Sequence, residues 1–384
     1  MLQAVLSTLP MFVCGFWFLT IILDRGRTSR AQTMLALFMF ASFLVFFAHA
    51  YYFNHGQLFF LAVESLYTLS SLLVYPLFFL YLSALTEARP GRLGEWLILT
   101  PSFLFFILVS LIFLLMPEQE TAKYLNYVQN HTDKAGLSGL VLLQVSLIRL
   151  SRLVYIIQII PVVIFGVKKI SRYQQDLENY YSSPGDRSLW WARNMLYVLI
   201  STSMVSASFT LIGRTVFDQA LGMLLIPSGL FSVLLYIIGY VGYHQRFTAK
   251  DFAEEISITD DTAVRPEEAE PNLREKLIRM MEKEQVYTRE DLRISDLALL
   301  LGTNRTYLSN IVNHELGLSF SDFINSYRVK HAKRLLMDTA CKHFSIKGVG
   351  ESSGFSNEAS FFRVFKKETG QSPAAWRSSV RAGS

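Results

Sequence analysis

Charge is scarce in this chain: only 17% of its 384 residues are Asp, Glu, Lys or Arg, against about 25% in an ordinary soluble domain. Cysteine is scarcer, with Cys14 in an apolar run and Cys341 near the other end. Two such distant thiols cannot make a zinc site and are poor disulfide partners, so both are expected to be small packing residues. Seven His beside 30 Phe do not suit a metalloenzyme. No nucleotide loop, paired catalytic carboxylates, nucleophile elbow or metal-ligand spacing is present. The chain is therefore not expected to be an enzyme, to hold a metal or to carry a cofactor.

What is plentiful is oil. Hydrophobic residues make up 51% and aromatics 14%, with a mean hydropathy of +0.31. That composition excludes disorder, collagen, a coiled coil and a disulfide scaffold, and it points to a polytopic membrane protein. The charge is also unevenly spread. Residues 1–250 carry 17 basic and 11 acidic side chains, 251–270 carry 1 and 8, and 271–384 carry 18 and 12. The expected division is a bundle over 1–245, an acidic linker over 246–270 and a basic domain over 271–384.

A membrane-spanning helix needs about 20 mostly apolar residues. Seven stretches qualify: Leu2–Leu23, Ala31–Phe53, Leu58–Leu85, Trp96–Met116, Val141–Val167, Met195–Phe217 and Ala220–Tyr243. The third and fifth are long enough to tilt or to extend beyond the bilayer. Alternate connections hold 12 basic residues, among them Arg25, Arg27, Arg30, Lys168, Lys169 and Arg172, while the others hold only Lys123, Lys134 and Arg214. The basic side is expected in the cytoplasm, which puts the N-terminus outside and the C-terminus inside. The first run lacks the basic n-region and cleavage pattern of a signal peptide.

Ionisable residues at membrane depth are costly and usually face a cavity or a partner. Glu64, His49, Arg149, Arg152 and Arg214, with Asp218 beside them, map to the outer third of their helices. One reading is a pocket open to the outside, with Arg149 and Arg152 contacting an anionic ligand. The plainer reading is snorkelling arginines and one Glu–Arg pair that pins the bundle. Pro76, Pro161 and Pro227 read as ordinary kinks. The linker reads as a solvated spacer, about 25 Å in reach if flexible, although Thr248–Ile258 could extend the last span as a helix.

Past Pro271 the pattern changes to short amphipathic helices. Leu273, Leu277, Met280 and Met281 make one stripe, and Ile294, Leu297, Ala298 and Leu301 the next. Gly302 makes a turn, and Asn304 caps a helix carrying Tyr307, Leu308, Ile311 and Val312. A helix, a Gly turn and a helix are a helix-turn-helix signature. The layout returns about 52 residues on, with Ser345 as a cap, Gly354 in the turn and Ser356 capping a helix with Phe361, Phe362 and Phe365. A helix over Ser319–Met337 lies between, with Phe323, Tyr327, Ala332, Leu335 and Leu336 inward and Arg328, Lys330, Lys333 and Arg334 outward. Two reading heads in successive major grooves would sit about 34 Å apart.

On these residues Leu292–Trp376 resembles the DNA-binding domain of AraC/XylS-type transcription regulators. The matching motifs are Asp296-Leu297-Ala298, Tyr307-Leu308-Ser309, Glu315-Leu316-Gly317, Gly354-Phe355-Ser356, Phe361 to Lys367 and Thr369 to Pro373, closing on Trp376-Arg377. The stretch is under a third of the chain. Arg293 stands where that family usually has Thr or Ser, Gly348 and Gly350 replace a carboxylate and an alanine, and Trp376 stands where a tyrosine is common. The family's effector-binding β-barrel is missing, and the apolar half takes its place.

The resemblance implies DNA contact by Arg305, Thr306, Ser309, Asn310 and Asn313 in the first unit and by Asn357, Glu358, Ser360 and Arg363 in the second. Arg suits guanine, Asn adenine and Glu cytosine. Lys366, Lys367, Arg328 and Lys333 are expected on phosphates. For each of these the ordinary alternative is a solvated surface residue. The fold expected is all-α: a transmembrane helical bundle of about seven helices, then a cytoplasmic all-α domain with two helix-turn-helix motifs. The function expected is a one-component regulator of the bacterial inner membrane. Its implied partners are double-stranded DNA, the lipid bilayer, a second copy of the chain and an unidentified small ligand. A transporter or membrane enzyme with a regulatory domain, or a constitutive tethered regulator, would share much of this composition.

Overall fold

The computed structural model describes residues 2–24, 29–53, 59–89, 93–130, 137, 139–212, 221–261, 272–338 and 343–382. Among them every named element is a helix, and the sole β pairing is an isolated antiparallel bridge between Tyr181 and Arg293. The chain divides into two compact units. One holds residues 1–170 and 190–250, the other residues 171–189 and 251–384.

In the first unit the helices are α1 (Leu2–Leu23), α2 (Arg30–Phe53), α3 (Phe60–Thr86), α4 (Leu93–Trp96), α5 (Thr100–Leu115), α6 (Glu118–Asn130), α7 (Gly139–Tyr180), α8 (Trp190–Ile212) and α9 (Leu221–His244). Each of the seven expected runs is helical over most of its described residues. Among the described residues four apolar helices, over Arg30–Tyr52, Phe60–Thr86, Leu97–Leu115 and Gly139–Tyr180, are long enough to cross a membrane, and Thr8–Leu23 is a shorter apolar one. Many large apolar side chains lie on the outside, among them Phe12, Phe16, Leu104, Ile107, Ile157 and Ile160, an unusually oily surface. Inside, Cys14 is a fully buried free thiol, as a packing role requires; Cys341 lies outside the described residues.

Two features escaped the sequence reading. Helix α6 lies in a connection read as a loop. It buries Tyr124 against Phe60, Val109, Ile112 and Val145, with Leu125 and Val128 packed beside it. Helix α7, at 42 residues, is about 63 Å long at 1.5 Å per residue, and its last ten residues belong to the second unit.

The second unit continues with α10 (Ala249–Asp261), α11 (Leu273–Arg279), α12 (Ile294–Leu300), α13 (Arg305–Asn310), α14 (Phe320–Met337), α15 (Ile346–Ser352), α16 (Glu358–Thr369) and α17 (Pro373–Ala382). The first part of the acidic linker is thus α10 rather than free chain, with Phe252 stacked edge-on to Tyr180 at 5.3 Å. Pro266 and the rest of the linker through Pro271 lie outside the described residues.

Local signals explain the elements. Asn304, Ser319, Ser345 and Asn357 each accept a hydrogen bond from an amide of the first turn they precede, a contribution of about 1 kcal/mol apiece. The last of these corrects the expectation for Ser356, since the helix begins one residue later. The C-terminal core gathers Val329, Ala332, Leu336, Val349, Phe355, Phe361, Val364 and Phe365, with Trp376 packed against it.

Candidate nucleic-acid interface

Two helix pairs flank α14. In the first, α12 ends at Leu300, Gly302 turns the chain at φ 68°, and α13 starts after Asn304. In the second, α15 ends at Ser352, Gly354 turns it at φ 91°, and α16 starts after Asn357. Glycine is required at 354 twice over. Its φ is one that side chains rarely adopt, and a Cβ there would lie 2.6 Å from the Tyr287 carbonyl oxygen. Gly350 is equally constrained, because a Cβ would come within 2.8 Å of the Phe361 ring. A glycine inside a helix ordinarily costs about 1 kcal/mol relative to alanine, and here it leaves the space into which Phe361 packs.

The candidate base-reading residues lie along α13 and α16. Thr306 and Asn310 are exposed and Arg305 is half-buried at the start of α13. Ser309 is half-buried, and its hydroxyl accepts from the Asn313 amide at 2.9 Å. In α16, Glu358 and Arg363 are exposed and Ser360 is half-buried. Asn357 commits its side-chain oxygen to the Ser360 amide at 2.8 Å, so it is a helix cap first. Tyr307, expected in the core, is 39% exposed on α13.

The cations divide. Lys366 is exposed, and Lys367 is exposed and ion-paired with Asp322 at 2.7 Å. Lys333 rests its ammonium 4.6 Å above the Trp376 ring. Arg328 is not on the outward face where it was expected, beside phosphates: it is fully buried. Its Nε donates to the Tyr287 carbonyl at 2.8 Å, and Nη2 to the carbonyls of Arg289 at 2.6 Å and Glu290 at 3.1 Å. Nη1 donates to the Ser183 hydroxyl at 3.0 Å and Nη2 to that of Ser182 at 3.2 Å. Burial pulls its pKa down to about 10, against the opposing pull of Asp291 and Glu290, so it stays cationic at neutral pH. A guanidinium can satisfy this many acceptors because its five donors are fixed in a planar fork.

The residues suspected of forming an outer pocket are partly brought together. Glu64 is buried in α3, and the Tyr124 hydroxyl donates to its Oε2 at 2.6 Å. Burial, and then the Glu64 carboxylate, raise the Tyr124 pKa, while Arg152 lowers it. Arg149 donates to the Tyr127 hydroxyl at 2.7 Å, and the His49 ring lies 5.3 Å from that of Tyr67. Glu64 therefore meets a tyrosine of α6 rather than an arginine alone. Arg214 and Asp218 lie outside the described residues. Among the described residues no group of His, Cys, Asp or Glu could hold a metal ion.

Comparison with known proteins gives this geometry a class. Residues 297–379 match the family model described as a helix-turn-helix domain, of the AraC type. The chain is 30% identical over 125 residues to an uncharacterized HTH-type transcriptional regulator of Bacillus subtilis (strain 168), a match covering 33% of this chain and 15% of that protein. It is 34% identical over 93 residues to an uncharacterized HTH-type transcriptional regulator of Staphylococcus aureus (strain MSSA476), covering 24% and 12%. The chain thus spans only about a seventh or less of the length of these relatives. No solved structure matches. Residues 297–379 thus match a helix-turn-helix domain and are similar to part of HTH-type transcriptional regulators, and they share one polypeptide with several long apolar helices.

Proposed function

We propose that this chain is a membrane-embedded transcription regulator. It would bind promoter DNA through two helix-turn-helix units, α12–α13 and α15–α16, under the control of a signal received by the apolar unit. The observation that carries this reading is the family match over residues 297–379, laid on a fold whose two helix pairs each end in a polar, partly exposed second helix. Arg305 and Arg363 would read guanine, Asn310 adenine and Glu358 cytosine, with Thr306, Ser309, Asn313 and Ser360 as adjoining contacts. Lys366, Lys367 and Lys333 would contact phosphates; the exposed Lys367–Asp322 pair costs little to break.

The apolar runs support seven spans, the basic-residue bias supports an external N-terminus and a cytoplasmic C-terminus, and a second copy of the chain is the proposed partner on a two-part operator. The outer cluster of Glu64, His49, Arg149 and Arg152 is the proposed receiving end for a polar ligand. Mapping the DNA fragments held by the full chain in cells tests the reading, together with reporter tags at each terminus. Specific promoter enrichment and a cytoplasmic C-terminal tag are expected. Enrichment no better than random DNA, or a C-terminal tag outside, overturns it. Exchanging residues 1–243 for an unrelated anchor separates sensing from mere tethering, because a retained response excludes sensing by the bundle.

A further inference from the structure

The second unit contains a piece of chain that no local pattern places there, residues 171–189. Tyr180, Tyr181 and Ser182, at the end of α7 and just past it, are all buried at 2% exposure or less. The Ser182 amide donates to the Leu292 carbonyl at 2.9 Å, and Tyr181 forms the β bridge with Arg293. Ser321 of α14 donates its hydroxyl to the Ser182 carbonyl at 2.9 Å. Tyr181 donates to Glu255 of α10 at 2.8 Å, and the same carboxylate pairs with Arg293 at 2.9 Å. The Tyr180 hydroxyl lies 3.2 Å from that of Ser295.

These contacts converge on the start of α12. Arg293 is its N-cap, Ser295 lies in its first turn, and Leu292 precedes it. Arg328 completes the arrangement. The guanidinium that holds Ser182 and Ser183 also holds the 287–290 backbone, and the Tyr287–Thr288 stretch is where the Gly354 turn of the second pair rests. One buried cation thus touches the loop after α7 and the backbone that supports the second turn.

We propose that Tyr180–Ser183 is the input surface of the DNA-binding unit: a docked segment, continuous with α7, through which the position of that helix sets the position of α12. The route of control is then the loop after α7, not the acidic stretch between α10 and α11. The regulatory part of this inference rests on the DNA-binding reading above.

The test uses the full chain in membranes, with Cys14→Ser and Cys341→Ser. Residues directly opposed in an antiparallel bridge have Cα atoms about 4.5–5.5 Å apart, within disulfide reach. Tyr181→Cys with Arg293→Cys is therefore expected to cross-link in most molecules under mild oxidation, and Ser182→Cys with Arg293→Cys far less, since neighbouring residues point to opposite sides. Equal yields from the two pairs overturn the docking. Ser182→Ala with Ser183→Ala leaves Arg328 its three carbonyl partners, and is expected to speed hydrogen exchange at the Ser182 amide by about tenfold or more. It is also expected to shift affinity for DNA selected from a random pool by about fivefold or more. Faster exchange with unchanged affinity reduces the segment to a brace and overturns its role as an input. Failure of the unsubstituted chain to select any DNA sinks the functional reading instead, and the cross-link still decides the docking.

Discussion

The two helix pairs of the C-terminal unit follow the same plan and are held by different means. The second is held chiefly by an aromatic core: Gly350 lets Phe361 close on α15, Phe355, Phe365 and Trp376 fill in around it, and only its Gly354 turn rests on the Tyr287–Thr288 backbone. The first leans on chain from elsewhere, because its entry at Leu292–Ser295 is tied to Tyr180–Ser182 and Glu255. A pair held by its own aromatic core has little reason to respond to distant events. A pair whose entry is hydrogen-bonded to a segment from another part of the chain can be moved by that segment. On the proposed reading, the first pair would be the one that responds to a signal and the second the one that holds DNA steadily.

Removing Arg328 should break this distinction most severely. Arg328→Met keeps much of the volume but strips donors from the carbonyls of Tyr287, Arg289 and Glu290, at about 1–3 kcal/mol for each buried acceptor left unpaired. Both pairs should loosen together, seen as a lower unfolding temperature of the full chain in detergent and faster exchange around both Leu292 and Gly354. Loss confined to one pair would show that Arg328 does not link them. Gly350→Ala should act on the second pair alone. Its Cβ must displace Phe361, and overpacking of this kind costs about 1–3 kcal/mol. Exchange in α15 and α16 should rise while α12 and α13 stay protected, and matching loss in both would deny the second pair its independence.

Base reading sharpens the comparison from the DNA side. Arg305→Ala and Arg363→Ala should each cost about 1–3 kcal/mol of discrimination, at different positions of the selected DNA. Lys366→Ala should instead weaken all sequences alike and lower the salt slope by about one. If Arg305→Ala behaves like Lys366→Ala in competition binding, α13 does not read bases.

Much of this unit was legible because its physics is local. Gly302, Gly354, Asn304, Ser319 and Ser345 announce turns and caps within a few residues, and the Phe361/Phe365 stripe has helical spacing. The apolar runs were legible for the same reason. What stayed hidden depends on distant pairing. Arg328 lies with Lys330, Lys333 and Arg334 on what looks like the basic outer face of its helix, and nothing nearby says that serines 146 and 145 residues away will meet it. The run Tyr180-Tyr181-Ser182-Ser183 has no periodicity and reads as loop. Helix α6 was the nearest miss, for Tyr124, Leu125 and Val128 do have helical spacing, but its many charged and amide side chains hid one buried edge. The outer cluster was seen by its charges, and the partner of Glu64 was missed because Tyr124 is neutral.

The smallest expected effect concerns pH, and it places His331 at the same junction. This imidazole lies in α14 with its ring 5.8 Å from that of Tyr287. Burial, and then the neighbouring Arg334 guanidinium, lower its pKa below the ordinary 6.5. Its Nδ1 is buried with no hydrogen-bond partner among the described residues, so a proton there would gain no acceptor. The unfolded chain therefore binds the proton more readily than the folded one. Stability from this group is fully present above about pH 6.5 and is lost as pH falls from there toward the lowered folded value. Because Tyr287 also supplies the carbonyl that Arg328 holds, the loosening should appear first around residues 286–290. His331→Gln should flatten that part of the profile, measured as the pH dependence of exchange at those amides. An unchanged slope would mean that the titrating group lies elsewhere and that His331 plays no part in coupling the two pairs.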